Sequence, residues 1–237
     1  MLFVCLGWLA SVTLNAQGFD EFESEFVQEP TVNDPFEGYN RFMTSFNDTL
    51  YIYAFIPAAK GYAKVVPAPI RQGVSNVFDN LLFPVRFANT LLQGKFTYSL
   101  EELARFLLNS TAGLAGWNDV AKEHLNIPQR NEDLGQTLGY YGVGSGFYIV
   151  LPILGPSNLR DIFGRVGDSF ANPISYVEPT RDSIALKAYD SFNTLSFHTK
   201  EYEQLRKDVI DIYPVLKELY ETRRDRLIKE STIKKPN

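Results

Sequence analysis

Asp34-Pro35-Phe36-Glu37-Gly38-Tyr39-Asn40-Arg41-Phe42-Met43-Thr44-Ser45-Phe46-Asn47-Asp48-Thr49-Leu50-Tyr51-Ile52-Tyr53-Ala54-Phe55 is the stretch that decides the fold class. Phe36, Tyr39, Met43, Phe46, Leu50 and Tyr53 recur at steps of three and four, the period of one helix face, and Phe42 and Ile52 widen the stripe. Asp34 is placed to cap. Pro35 at the first helical position loses no donor that a helix uses, and Glu37 stands where a capping box has its acid. The pattern predicts an amphipathic helix running to about Phe55 and ended by Pro57.

Helical punctuation continues on the C-terminal side. Pro57, Pro67, Pro69 and Pro84 mark off short helical pieces near 58–65, 69–82 and 84–92, because each proline disfavours helical geometry in the residue before it. Ser99 with Glu102 reads as a second capping box, followed by Leu100, Leu103, Phe106, Leu107 and a stop at Gly113. Further helices fit 132–141, 157–166, 180–196 and 199–230, with Pro214 breaking or kinking the last. The segment 142–156 breaks this rhythm. Gly142-Val143-Gly144-Ser145-Gly146 leads into Phe147-Tyr148-Ile149-Val150-Leu151-Pro152-Ile153-Leu154-Gly155-Pro156, too short to span a membrane and too rich in Gly and Pro for a regular helix. It reads either as a buried connection or as a hairpin lining a ligand path. The fold class expected is all-α.

On the N-terminal side, residues 1–16 carry no charge and run Leu2-Phe3-Val4-Cys5-Leu6-Gly7-Trp8-Leu9 before turning small and polar, the pattern of a secretory signal cut before Gln17. A buried N-terminal strand or helix is the alternative. Cys5, the sole cysteine, permits no internal disulfide, and Val4 before it makes a poor lipid-attachment site. Residues 17–32 then form an acidic flexible segment with Asp20, Glu21, Glu23, Glu25 and Glu29, the domain occupies 33–230, and a basic tail closes the chain at 231–237.

Composition sets outer limits. The 237 residues, 45% of them hydrophobic, suffice for the core of one domain, and 18 Phe with 13 Tyr supply rings for a large packed surface or an interfacial belt. A net charge of −5 gives no global basic footprint for nucleic acid. Past Ala16 no run of eighteen apolar residues occurs. His124 and His198 lack partners three or four residues away that would make a paired metal site, and the glycine run fits neither a dinucleotide fingerprint, a phosphate loop nor a nucleophile elbow. No catalytic residue, metal or cofactor is expected.

Seven motifs follow one another in order: Asn33-Asp34-Pro35-Phe36-Glu37-Gly38-Tyr39-Asn40-Arg41, Pro57-Ala58-Ala59-Lys60-Gly61-Tyr62, Arg71-Gln72-Gly73-Val74-Ser75-Asn76, Leu92-Gln93-Gly94-Lys95, Arg105-Phe106-Leu107-Leu108-Asn109-Ser110-Thr111-Ala112-Gly113, Glu132-Asp133-Leu134-Gly135-Gln136-Thr137-Leu138-Gly139 and Leu151-Pro152-Ile153-Leu154-Gly155-Pro156-Ser157-Asn158-Leu159-Arg160-Asp161. Together they resemble the VacJ/MlaA family of outer-membrane lipoproteins, densely over 33–175 and more loosely over 211–229. The resemblance implies a ring-like domain of short amphipathic helices lying in the inner leaflet of the outer membrane, facing the periplasm. It also implies a trimeric porin as partner, removal of mislocalised phospholipid from the outer leaflet through a central channel, and delivery to a soluble periplasmic carrier that feeds an inner-membrane ABC transporter.

Short amphipathic helices can rest their apolar faces in acyl chains while satisfying their own backbone hydrogen bonds, and irregular backbone at that depth must be buried in protein or line a cavity. On that basis the channel and its gate are placed at Phe46 and Asn47 with Phe147, Tyr148, Ile149, Leu151 and Ile153; core packing is the alternative for the apolar members. Asn40, Arg41, Asn109, Arg160 and Asp161 are expected as buried polar links that fix bends between helices. Two other classes stand beside lipid transport: an envelope adaptor that conducts nothing, and a periplasmic lipid hydrolase.

Overall fold

The computed structural model describes residues 34–233. The expected signal with Cys5 and the cut before Gln17, the acidic segment 17–32 and the end of the basic tail lie outside the described residues. Apart from one two-stranded hairpin the fold is all-α.

The first helix does not stop at Pro57. Helix α1 (Glu37–Leu50) passes through one π-helical turn, Tyr51–Phe55, into α2 (Ile56–Val65). In that turn the Ile56 N–H reaches back five residues to the Tyr51 carbonyl. The wider turn gives the proline ring room beside the preceding carbonyls and absorbs the donor it lacks, which is why the expected stop is overturned. The expected capping box is also corrected. Phe36 holds the cap position without a side-chain bond, while the Asp34 carboxylate accepts from Asn40, the Tyr213 hydroxyl and Lys217. Glu37 instead pairs with Arg41 at 2.7 Å.

Helices α3 (Ala68–Leu81), α4 (Phe83–Leu92) and α5 (Phe96–Thr111) follow. Ser99 and Glu102 are not a helix start, since α5 begins at Phe96. Both are buried: Ser99 Oγ donates to Thr90 Oγ1 at 2.9 Å, and Glu102 accepts from Arg86 Nε at 2.7 Å and from the Arg130 N–H at 2.7 Å. Tertiary pairing with α4 has taken the side chains that a capping box would use. The short helices α6 (Val120–Leu125) and α7 (Leu134–Tyr140) are capped by Asp119 and Asp133.

Strands β1 (Tyr148–Leu151) and β2 (Gly155–Asn158) pair antiparallel, Tyr148 opposite Asn158 and Leu151 opposite Gly155. Asn158 caps α8 (Leu159–Ala171), whose glycines let it lie backbone to backbone on α7: a Cβ on Gly164 would fall 2.4 Å from the Gly135 nitrogen. After a 3-10 turn at Pro173–Tyr176, α9 (Thr180–Asp208) runs unbroken through the gap expected at 197–198. The break to α10 (Ile212–Ile233) comes before Pro214 rather than at it. Pro214 sits in the first turn, where no donor is required, and the Asp211 carboxylate accepts the Tyr213 N–H at 3.0 Å.

The interior is built the opposite way from a water-soluble core. Nine apolar side chains are buried among the described residues against twenty-five polar or charged ones, so the helices meet through hydrogen bonds more than through grease. In α1 the buried residues are Asn40, Thr44 and Asn47, while Phe36, Tyr39, Phe42 and Phe46 of the apolar stripe face outward. Helix α5 buries Ser99, Glu102, Arg105 and Asn109 and exposes Phe96, Leu100 and Leu107; α8 buries Arg160 and Asp161 and exposes Phe163, Val166 and Phe170. In water each large apolar side chain left out costs about 1.5–3 kcal/mol relative to burial, a cost that disappears in hydrocarbon. No helix among the described residues is long and apolar enough to cross a membrane.

Candidate functional site

Helix α1 and the hairpin are joined by two asparagine side chains acting as a third strand. Asn40 accepts the Val150 N–H at 2.8 Å and donates to the Tyr148 carbonyl at 3.1 Å. Asn47 accepts the Ile153 N–H at 2.7 Å and donates to the Leu151 carbonyl at 2.9 Å. The spacing is geometric. Seven helical residues rise about 10.5 Å, and the three strand residues between the two clamped positions advance about 10 Å, so one helix face can meet the strand edge twice. With Val150 turned to Asn40, Pro156 opposite it needs no donor. At the tip, Ile153 is held at φ +66°, a left-handed conformation costly for a β-branched residue, by the Asn47 carbonyl on its N–H.

The hairpin presents two kinds of side chain. Tyr148 is fully buried, edge-on to Tyr213 and Tyr220 at 6.2 and 6.3 Å, with Lys217 Nζ 5.7 Å from its ring centre; burial, then the charge of Tyr213, pushes its hydroxyl up. Phe147 packs edge-on against Phe36 at 5.1 Å. Ile149 and Leu151 are half-buried, and Phe46 and Ile153 are exposed. The structure thus brings Asn47, Leu151 and Ile153 together at the tip, while Tyr148 belongs to the packed interior.

The five residues expected as polar links divide similarly. Asn109 is buried and binds Asp119 and the Ala121 N–H, tying α5 to α6. Arg105 adds two bonds to Asp119 at 2.9 and 2.8 Å. Buried Arg160 and Asp161 open α8, and Arg224 of α10 reaches both Asp161 (2.9 Å) and Asp133 (2.6 and 2.9 Å), knotting α7, α8 and α10. Burial raises the Asp133 carboxyl, but its bonds to Arg224 outweigh that and hold it below the usual range. Arg41 is not buried: half-exposed, it bridges Glu37 and Asp211 and lies over the Tyr213 ring at 4.6 Å. On a helix surface its long side chain reaches a neighbouring acid without leaving water.

A polar cavity system stands apart from these residues. A cavity of about 520 Å³ opens between α3, α6 and the loop 126–131, its lining including Gln72, Asn76, Asp79, Lys122, Gln129 and Asn131. Asp79 and Gln129 also line a recess of about 10 Å³ that reaches Arg86 and Arg105, and Gln129 and Asn131 line a further 210 Å³ cavity toward Lys95 and Tyr98. None of the seven residues predicted for the channel lines any of these three cavities. The signal was present in Gln72, Asn76 and Asp79, a polar face at helical spacing, and in the amides Asn126, Gln129 and Asn131. The apolar run 147–154 is the stronger local signal, and a polar helix face by itself reads as solvated surface. No group of three or more potential metal ligands occurs among the described residues.

The family described as MlaA lipoprotein matches residues 32–227. This chain belongs to the MlaA lipoprotein family. The MlaA of Escherichia coli K12, named an intermembrane phospholipid transport system lipoprotein, is 40% identical over 148 residues, covering 61% of this chain and 59% of that one. The Haemophilus influenzae MlaA of the same name is 39% identical over 139 residues, covering 58% and 56%. The chain therefore aligns with somewhat under three-fifths of the length of these curated relatives. A solved structure reported as "Structural basis for maintenance of bacterial outer membrane lipid asymmetry" superposes with a TM-score of 0.74 at 32% identity, covering 83% of this chain and 99% of that one.

Proposed function

We propose that this chain conducts phospholipid at the outer membrane: it takes mislocalised lipid from the outer leaflet and passes it, headgroup through a polar interior, to a soluble periplasmic carrier that feeds an inner-membrane ABC transporter, with a trimeric porin holding it in place. One observation carries the reading. The buried faces of α1, α5 and α8 are polar and their apolar faces are turned outward, the distribution suited to a body sitting in acyl chains around a hydrophilic path. The relatives' names, which place them in an intermembrane phospholipid transport system, support it. Moving a phospholipid makes or breaks no covalent bond, so a conducting site needs no catalytic group.

Within this reading the hairpin is the gate. Phe46, Phe147, Ile149, Leu151 and Ile153 supply its apolar surface, Asn47 fastens the tip, and Tyr148 roots the strand between α1 and α10. The test is reconstitution of the full chain into donor vesicles, with acceptor lipid analysed by mass. Intact phospholipid accumulating in the acceptor is the expected result. Released fatty acid or lysolipid would make the chain a hydrolase, and no transfer beside normal porin binding would make it an adaptor.

A further inference from the structure

Charges around the 520 Å³ cavity and the adjoining 10 Å³ recess are unevenly compensated. Arg86 is committed to Glu102 at 2.7 Å, and Arg105 to Asp119, which also takes Asn109 and the Lys122 N–H. Asp79 is left over. Its carboxylate has one amide contact, Gln129 at 3.2 Å, while the nearby Arg86 Nη1 donates to the Asp79 backbone carbonyl instead. Burial, only partly countered by Gln129 and Arg86, pushes the Asp79 carboxyl up; behind it on α9, Asp190 is pushed up to about 6 by burial and by the charge of Asp79. Nearer the outside, exposed Lys122 lines the large cavity and has no ion pair among the described residues.

The two charges without an ion pair among the described residues, Asp79 and Lys122, line different parts of this system. Asp79 borders both the wide cavity and the 10 Å³ recess, room for about one water-sized group, whereas Lys122 borders only the wide cavity. An ammonium –NH3⁺ is water-sized and donates three hydrogen bonds; a trimethylammonium is larger and donates none. Building on phospholipid conduction, we propose that this cavity selects phospholipids with a primary-ammonium headgroup of the ethanolamine type, seating the ammonium against Asp79 in the recess and the phosphate against Lys122. The order from tail to headgroup tip matches the order from mouth to recess. A choline headgroup is too bulky for the recess, and a glycerol headgroup leaves Asp79 uncompensated.

Donor vesicles of equimolar phosphatidylethanolamine, phosphatidylcholine and phosphatidylglycerol, with the full chain reconstituted, test this by mass analysis of the acceptor. Wild type is expected to move the ethanolamine lipid about 10-fold faster than either competitor, the worth of one charge-assisted hydrogen bond. Asp79→Asn, which keeps an acceptor for Gln129, is expected to remove that preference, bringing the three lipids to one common rate. Lys122→Gln slows all three lipids together. Soluble glycerophosphoethanolamine, added to wild type, should inhibit transfer where glycerophosphocholine does not, a reading that depends on no variant folding. Equal wild-type rates for the three lipids, a preference surviving Asp79→Asn in folded protein, or equal inhibition by the two soluble headgroups would overturn the inference with conduction intact. A wild type that moves no phospholipid at all would overturn conduction, and this inference with it.

Discussion

Replacing Asn47 by leucine removes the clamp on the hairpin tip at nearly constant volume. Two hydrogen bonds go, one from the Ile153 N–H at 2.7 Å and one to the Leu151 carbonyl at 2.9 Å. At about 0.5–1.5 kcal/mol net apiece they sum to roughly 1–3 kcal/mol. The left-handed turn at Ile153 adds a push toward opening of about 1–2 kcal/mol, which the clamp now opposes. Because Ile153 is half-exposed, its freed N–H can find water, so the loss stays local. Taking about 2 kcal/mol, tip opening becomes about 30-fold more populated. Amide exchange in detergent, read on peptides covering 147–158, should accelerate by that factor in Asn47→Leu while α9 keeps its protection. Asn40→Leu, which loses two clamp bonds and the Asp34 bond at a fully buried position, should instead lower global stability by about 2–4 kcal/mol. Unchanged exchange at the tip in Asn47→Leu, or uniform acceleration across the protein, would refute the clamp.

Other outcomes follow from the same contacts. Gly164→Ala drives a Cβ to 2.4 Å from the Gly135 backbone nitrogen, which cannot yield as a side-chain tip would, and should cost about 1–3 kcal/mol in a denaturant titration. Arg224→Met leaves the Asp133 carboxylate with only its Gln136 bonds and takes one of two cations from Asp161, which keeps Arg160, and should destabilise by about 3–5 kcal/mol. Asp190, whose carboxyl is raised to about 6, binds its proton more tightly in the folded state, so stability falls as pH rises from about 4 to 6; Asp190→Asn should therefore gain about 1–3 kcal/mol at pH 7.5 and nothing below pH 4, checked by melting across that range. Ile149→Lys places a charge on the gate and should abolish lipid transfer while the far-ultraviolet circular dichroism spectrum stays unchanged.

The helices were legible because their period is local. The pieces 58–65, 69–82 and 84–92 match α2, α3 and α4 to within two residues, since proline acts on its immediate neighbours. What long-range pairing decides was not legible. Ser99 and Glu102 look like a cap and are instead the α4 contact; Pro57 looks like a stop and is absorbed by a π turn whose extra residue has no sequence mark. In α1 the amphipathic stripe was plain, yet periodicity alone is silent on which side meets protein. The asparagines Asn40 and Asn47, two turns apart on the opposite face, carried that answer. Asp79 shows the same limit of local sequence. Its isolation becomes visible only once Arg86 and Arg105 are seen to be committed elsewhere.

The outward turn of the apolar faces is tested most directly by spin-label accessibility of the full chain in bilayers. Single cysteines replace Phe42, Leu100 and Phe170 on the outer faces and Asn76 in the cavity lining, in a Cys5→Ser background. Labels at the first three positions should relax with oxygen and resist a water-soluble nickel chelate, and the label at 76 should do the reverse. Nickel access at Phe42, Leu100 and Phe170 equal to that at Asn76 would contradict a body surrounded by lipid with a hydrophilic path inside.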